Sequence, residues 1–98
     1  MVQYIPRKLM NSSLILVTGP GCAGCVRIKD RLEALGFYDK IILIDISNDR
    51  GKEFATRYNI KTIPLLIKED APGVIRDVLS GGNHTDAAIK GFINAGGS

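Results

Sequence analysis

A chain of 98 residues is long enough to form one domain with its own core, and its 45% hydrophobic and 23% charged residues match ordinary soluble globular proteins. The formal net charge of +3 is mild, and with no block of consecutive Lys and Arg it excludes nucleic acid as an expected partner. No apolar run approaches the ~20 residues needed to span a bilayer, so no membrane partner is expected either.

Residues 1–12 read as an N-terminal extension or edge strand. Val2-Gln3-Tyr4-Ile5 has strand character, but Pro6 confines it to an edge. Arg7 and Lys8 precede an apolar stretch, yet Leu14 to Val17 is far shorter than the apolar region of a secretory signal, and no small-residue cleavage site follows. A cytoplasmic protein is the expectation. Leu14-Ile15-Leu16-Val17, bounded by Ser12-Ser13 and Thr18-Gly19-Pro20-Gly21, suits a strand covered on both faces. Pro20 and Gly21 then turn the chain into a helix.

That helix opens with Cys22-Ala23-Gly24-Cys25, which holds the only two cysteines of the chain. Side chains at i and i+3 of a helix are neighbours at roughly 5–6 Å, inside the ~4.4–6.8 Å Cα window of a disulfide. The free amides of a helix start favour negative charge, so a thiolate at Cys22 is stabilised over a thiol. Depressed cysteine pKa values of about 3.5–7.5 are typical of such sites. In a chain without a secretory signal, this spacing indicates redox or metal chemistry before a structural staple. By itself, Cys-x-x-Cys also fits half of a zinc site. Two sulfurs are half of a four-ligand set, and no further Cys or His pair exists to complete it.

Cys25, Ile28, Leu32 and Leu35 form one helical face, and Gly36 supplies a stop. Arg27 and Lys29 stand on the other faces, as a solvated surface or as positive potential near the sulfurs. Ile41-Ile42-Leu43-Ile44 reads as a second strand of the buried type, ending at Asp45. Ser47-Asn48-Asp49 offers N-caps for a helix through Tyr58, with Phe54 and Tyr58 at i and i+4 and Asn59 as a C-cap. Phe37, Tyr38, Phe54 and Tyr58 are expected in the core or at its boundary. Strand, helix, strand, helix implies a parallel βαβ unit with a right-handed crossover. Thr62-Ile63-Pro64 leads into a short strand, Leu65-Leu66-Ile67. Lys68 to Gly73 reads as the turn of a hairpin into Val74–Leu79, antiparallel because so short a link cannot make a crossover. Gly81-Gly82 breaks the chain, and Asn83 or Thr85 caps a last helix with Ala88, Ile89, Phe92 and Ile93 on its apolar side. Gly96-Gly97-Ser98 reads as a flexible tail. No internal repeat or low-complexity segment is present.

The order β-α-β-α-β-β-α with Cys-x-x-Cys at the first strand-to-helix junction resembles the thioredoxin-like fold, an α/β class with a four-stranded mixed sheet flanked by helices. Within it the chain is most similar to glutaredoxins and the small glutaredoxin-like hydrogen donors of ribonucleotide reductase. Cys22-Ala23-Gly24-Cys25, Thr62-Ile63-Pro64 and Gly81-Gly82 followed by the polar stretch Asn83 to Asp86 carry the resemblance. It spans nearly the whole chain after about residue 13, as a single domain. The stretch Tyr58 to Pro64 also resembles the thioredoxin approach to its cis proline. Against these, Gly24 and Gly19 stand where many glutaredoxins place a tyrosine and a lysine that touch glutathione. Asn83-His84-Thr85 delays Asp86 by one residue relative to the family's acidic helix start. Gly21 and Leu16 stand where thioredoxins carry a tryptophan and a buried aspartate.

The resemblance implies a dithiol–disulfide oxidoreductase, a monomer with no bound cofactor and no metal. Cys22 would attack a substrate disulfide and Cys25 would resolve the mixed disulfide. Pro64 would be cis and face the cysteines, leaving the Ile63 backbone free for an extended substrate segment, with Thr62 helping to orient it. Gly81, Gly82 and the amides of Asn83 to Thr85 would take a carboxylate of glutathione or of a protein tail. His84 is expected at the surface, at best assisting that anion site. The implied partners are protein disulfides, ribonucleotide reductase among the candidates, with glutathione or a reductase as electron donor. The competing readings are a glutathione-assisted iron–sulfur carrier dimerising through Cys22 and a zinc-linked or non-catalytic thioredoxin-like module.

Overall fold

Leu14, Ile15, Leu16 and Val17 cannot all bury their side chains unless both faces of their strand are covered, and that requirement organises the molecule. The computed structural model describes residues 13–94, and the strand expected at Val2–Ile5 and the tail expected at 96–98 lie outside them. Strand β1 (Ser13–Thr18) leads to helix α1 (Ala23–Ala34), a short 3₁₀ turn (Tyr38–Lys40) and β2 (Ile41–Asp45). Helix α2 (Asp49–Arg57), β3 (Leu65–Ala71), β4 (Val74–Ser80) and α3 (Asp86–Asn94) complete the order.

The sheet order is β2-β1-β3-β4, with β1 parallel to β2 and antiparallel to β3, and β3 antiparallel to β4. Side chains of the central strands alternate between two cores, as the period of a strand requires. Leu14, Leu16 and Leu66 face Ile28 and Leu32 of α1 and Ile89 and Phe92 of α3. Ile15, Val17 and Ile67 face the other way, against Phe54 of α2 with Ile44, Ile46, Ile60 and Ile63. Each such side chain, fully removed from water, contributes roughly 1.5–3 kcal/mol.

The helices end as their sequences dictate. Leu35 and Gly36 close α1, their amides donating to Arg31 and Glu33 carbonyls at 2.9 and 3.0 Å. Asn48 caps α2, its Oδ1 accepting from the Gly51 amide at 2.8 Å. Asn59 follows that helix at φ 55°, a left-handed conformation asparagine tolerates. The Phe54 and Tyr58 rings touch, with centroids 4.4 Å apart. Thr85 caps α3, accepting from the Ala88 amide at 3.0 Å.

Three expectations are corrected. Strand β2 is an edge strand among the described residues, not one covered on both faces: Ile42 is 50% and Leu43 42% exposed. The stretch from Lys68 continues β3 instead of turning, and only Pro72-Gly73 makes the turn. Lys68 and Glu69 are buried because each charged tip finds polar groups, as a buried charge must. The Lys68 amine donates to the Phe92 carbonyl at 3.0 Å, and burial pushes its pKa down. Glu69 accepts from the Tyr58 hydroxyl at 3.2 Å and the Gly73 amide at 3.0 Å. Finally, Ala88 lies on the exposed side of α3, leaving Ile89, Phe92 and Ile93 to seat it. Among the described residues no helix is long and apolar enough to cross a membrane.

Candidate active site at the start of α1

Cys22 is the N-cap of α1: its backbone is extended, and its carbonyl accepts from the Cys25 and Val26 amides at 3.1 and 3.3 Å. Its sulfur also takes a bond usually made by a capping oxygen, accepting from the Cys25 amide at 3.1 Å. Cys25 lies one turn inside and is 1% exposed, whereas Cys22 is half-buried. The two sulfurs are joined as a disulfide, with the Cα atoms 5.2 Å apart. The first turn of α1 carries no acidic side chain, so nothing there opposes the helix's preference for negative charge at Cys22.

Two other segments close on this turn. The Ile63–Pro64 peptide is cis, as the resemblance implied, and Pro64 is buried. A Cβ placed on Gly24 would stand 3.3 Å from the Pro64 ring, so the middle of the Cys-x-x-Cys turn faces that proline directly. Ile63 precedes both ladders of β3, whose last pairs are Val17–Leu65 and Leu65–Ser80, so neither neighbouring strand takes its backbone groups. Thr62 is exposed beside it.

The third segment is the loop after β4. The Gly81 amide donates to the Pro64 carbonyl at 2.9 Å. Gly82 packs backbone to backbone on Gly24, where a Cβ would stand 2.7 Å from the Gly24 Cα. No other residue fits there without moving the cysteine turn. Asn83 accepts a hydrogen bond from the Arg27 guanidinium of α1 at 2.7 Å. Farther along α1, Arg31 meets Asp86 at the start of α3 at 3.5 Å. His84 is half-buried, its Nε2 2.7 Å from the Ser80 carbonyl.

Cys22, Cys25, Ile63, Pro64, Gly81, Gly82 and Asn83 therefore gather at one end of the sheet. Arg27 joins them through Asn83, a contact across 56 residues that spacing along the chain gives no sign of. Gly19 has a local reason: a Cβ there would stand 2.9 Å from the Ile63 side chain and 3.1 Å from that of Ile46. Among the described residues no group of three or more His, Cys, Asp or Glu is placed to hold a metal ion.

Solved structures share this arrangement of strands and helices. A thioredoxin from Malassezia sympodialis superposes with a TM-score of 0.71 at 17% identity, covering 90% of this chain and 76% of that one. A mutant thioredoxin from Halobacterium salinarum gives 0.70 at 20% identity, with 90% and 76% covered. The thioredoxin of Fasciola hepatica gives 0.68 at 21%, with 85% and 78% covered. The chain has the thioredoxin-like fold. No protein-family model and no curated protein sequence matches it.

Proposed function

We propose that this protein is a dithiol–disulfide oxidoreductase that reduces protein disulfides through Cys22 and Cys25. The observation that carries the reading is the paired asymmetry of the sulfurs: one is accessible at the helix cap, the other sealed one turn inside, and the two are close enough to bond. In the reduced chain, the Cys22 thiolate attacks one sulfur of a substrate disulfide and expels the other as a thiolate, which takes up a proton. Cys25 then gives up its proton and attacks the Cys22 sulfur, releasing the second substrate thiol. Two electrons have moved to the substrate, and the chain is left as the disulfide described above. An extended substrate segment would pair with the Ile63 backbone as an added strand, which places its disulfide over Cys22.

Within this class, the glutaredoxin-like reading assigns protein disulfides as substrates, ribonucleotide reductase among them, with glutathione or a protein reductase as donor. The resemblance in Thr62-Ile63-Pro64 and Gly81-Gly82 supports it. The chain's own activity is tested by dithiothreitol-driven reduction of insulin, followed as turbidity. Catalytic amounts of the protein should shorten the lag, and a lag equal to that of dithiothreitol alone would refute the reading. NADPH consumption through glutathione and glutathione reductase, compared with consumption through a thioredoxin reductase, then identifies the donor.

A further inference from the structure

We propose that Arg27 is a positioning residue for this site, acting through Asn83 to hold the double-glycine loop against the Cys-x-x-Cys turn. The inference rests on the oxidoreductase reading and deepens it by naming what fixes the substrate-facing surface. The loop that follows β4 makes the two backbone contacts that frame the sulfurs: Gly81 bonds to the Pro64 carbonyl, and Gly82 lies on Gly24. Glycines give a close approach but no side chain to anchor it, and their freedom makes the approach costly in entropy. The anchors must come from the neighbours. His84 ties the loop back to its own strand at Ser80, while Arg27 ties it across to α1, within two residues of Cys25. The Arg27–Asn83 bond is charge-assisted and short, at 2.7 Å, and it joins this loop to the cysteine helix. Arg31 and Asp86, one turn farther on, join α1 to α3 without touching the loop.

This arrangement separates positioning from simple stapling. If Arg27 works through Asn83, Arg27→Ala and Asn83→Ala do the same damage, and the double variant is no worse than either single one. Loss of one such bond at an exposed position corresponds to a rise in KM for a protein disulfide of about threefold to tenfold. The turnover number stays near wild type, since the proposal gives neither side chain a part in the thiol–disulfide exchange. Arg31→Ala removes an exposed ion pair between α1 and α3 and leaves KM within about twofold.

The experiment is steady-state kinetics of insulin reduction for wild type, the three single variants and the Arg27→Ala/Asn83→Ala pair, with melting temperatures measured alongside. The expected result is a shared rise in KM for the Arg27 and Asn83 variants, non-additive in the pair, with Arg31→Ala unchanged. Three outcomes overturn the proposal: an equal rise in KM for Arg31→Ala, which makes Arg27 a mere staple; additive losses in the pair; or a loss for Arg27→Ala alone, which makes Arg27 a direct substrate contact. If wild type itself shows no turnover, the oxidoreductase reading falls and takes this inference with it. A wild type that turns over beside indifferent variants sinks the inference alone.

Discussion

The strand-to-helix junctions after β1 and β2 are built alike and differ in what they can do. After β1, Cys22 caps α1 with a sulfur that accepts from the amide three residues on, at 3.1 Å. After β2, Asn48 caps α2 with an oxygen that accepts from the Gly51 amide, also three residues on, at 2.8 Å. Both helices also begin with a close-packed glycine: Gly24 faces Pro64 and Gly82, and Gly51 packs on the Asp45 carbonyl with no room for a Cβ. The first junction hangs from a central, buried strand and is met by two further segments, whereas the second hangs from an edge strand. Under the proposed function, a sulfur in the capping position, with a second sulfur in reach and backbone left open beside it, is what would make an ordinary helix cap a redox site. Asparagine in the same position makes only the cap.

The sharpest way to break that contrast is Cys22→Ser. Serine is a good N-cap, so α1 should keep its start, and stability should stay close to that of reduced wild type. Disulfide reduction should nevertheless fall to the uncatalysed rate in the insulin assay. Retained activity would mean that the cap position is not the attacking one.

The strands themselves come next. Leu16 and Leu43 are register partners on β1 and β2 and look equivalent on paper, yet Leu16 is 0% exposed and Leu43 42%. Leu16→Ala should cost about 2–5 kcal/mol by opening a cavity between α1 and α3. Leu43→Ala should cost under about 1 kcal/mol, because much of that side chain already meets water. Urea denaturation of the oxidised proteins reads both, and equal costs would contradict the edge placement of β2.

At the small end is the second cap. Asn48→Ala should lower stability by about 0.5–2 kcal/mol and leave the kinetics of disulfide reduction unchanged. A kinetic effect would mean that the α2 junction communicates with the sulfurs, and the contrast between the two junctions would then be too clean.

The same pair of junctions shows what could be read from residues alone. From residue 13 onward the order of strands and helices was legible, since each run carried its own period and its own stop: Gly36 after α1, Asn59 after α2, Gly81-Gly82 after β4. So were Cys22, Cys25 and Pro64, whose chemistry is written in short local patterns. The place of β2 in the sheet was not, because four apolar residues announce a strand without saying which neighbours cover it. Lys68 and Glu69 misled for a related reason. Charged residues beside Pro72-Gly73 resemble a turn until the partners of their tips, Phe92, Tyr58 and Gly73, are brought in by the fold. The Arg27–Asn83 bond and the Gly82–Gly24 contact are illegible by nature, because they join parts of the chain that meet only once the sheet has formed.

Trapping the mixed disulfide shows which sulfur attacks. The Cys25→Ser variant, reduced and then exposed to a peptide disulfide, should stop at the mixed disulfide, and mass spectrometry of its tryptic fragments should place the adduct on Cys22. The companion Cys22→Ser variant should trap nothing under the same conditions. An adduct forming as readily on Cys25 of that companion, or no adduct on Cys22, would contradict the assignment of the cap sulfur as the nucleophile.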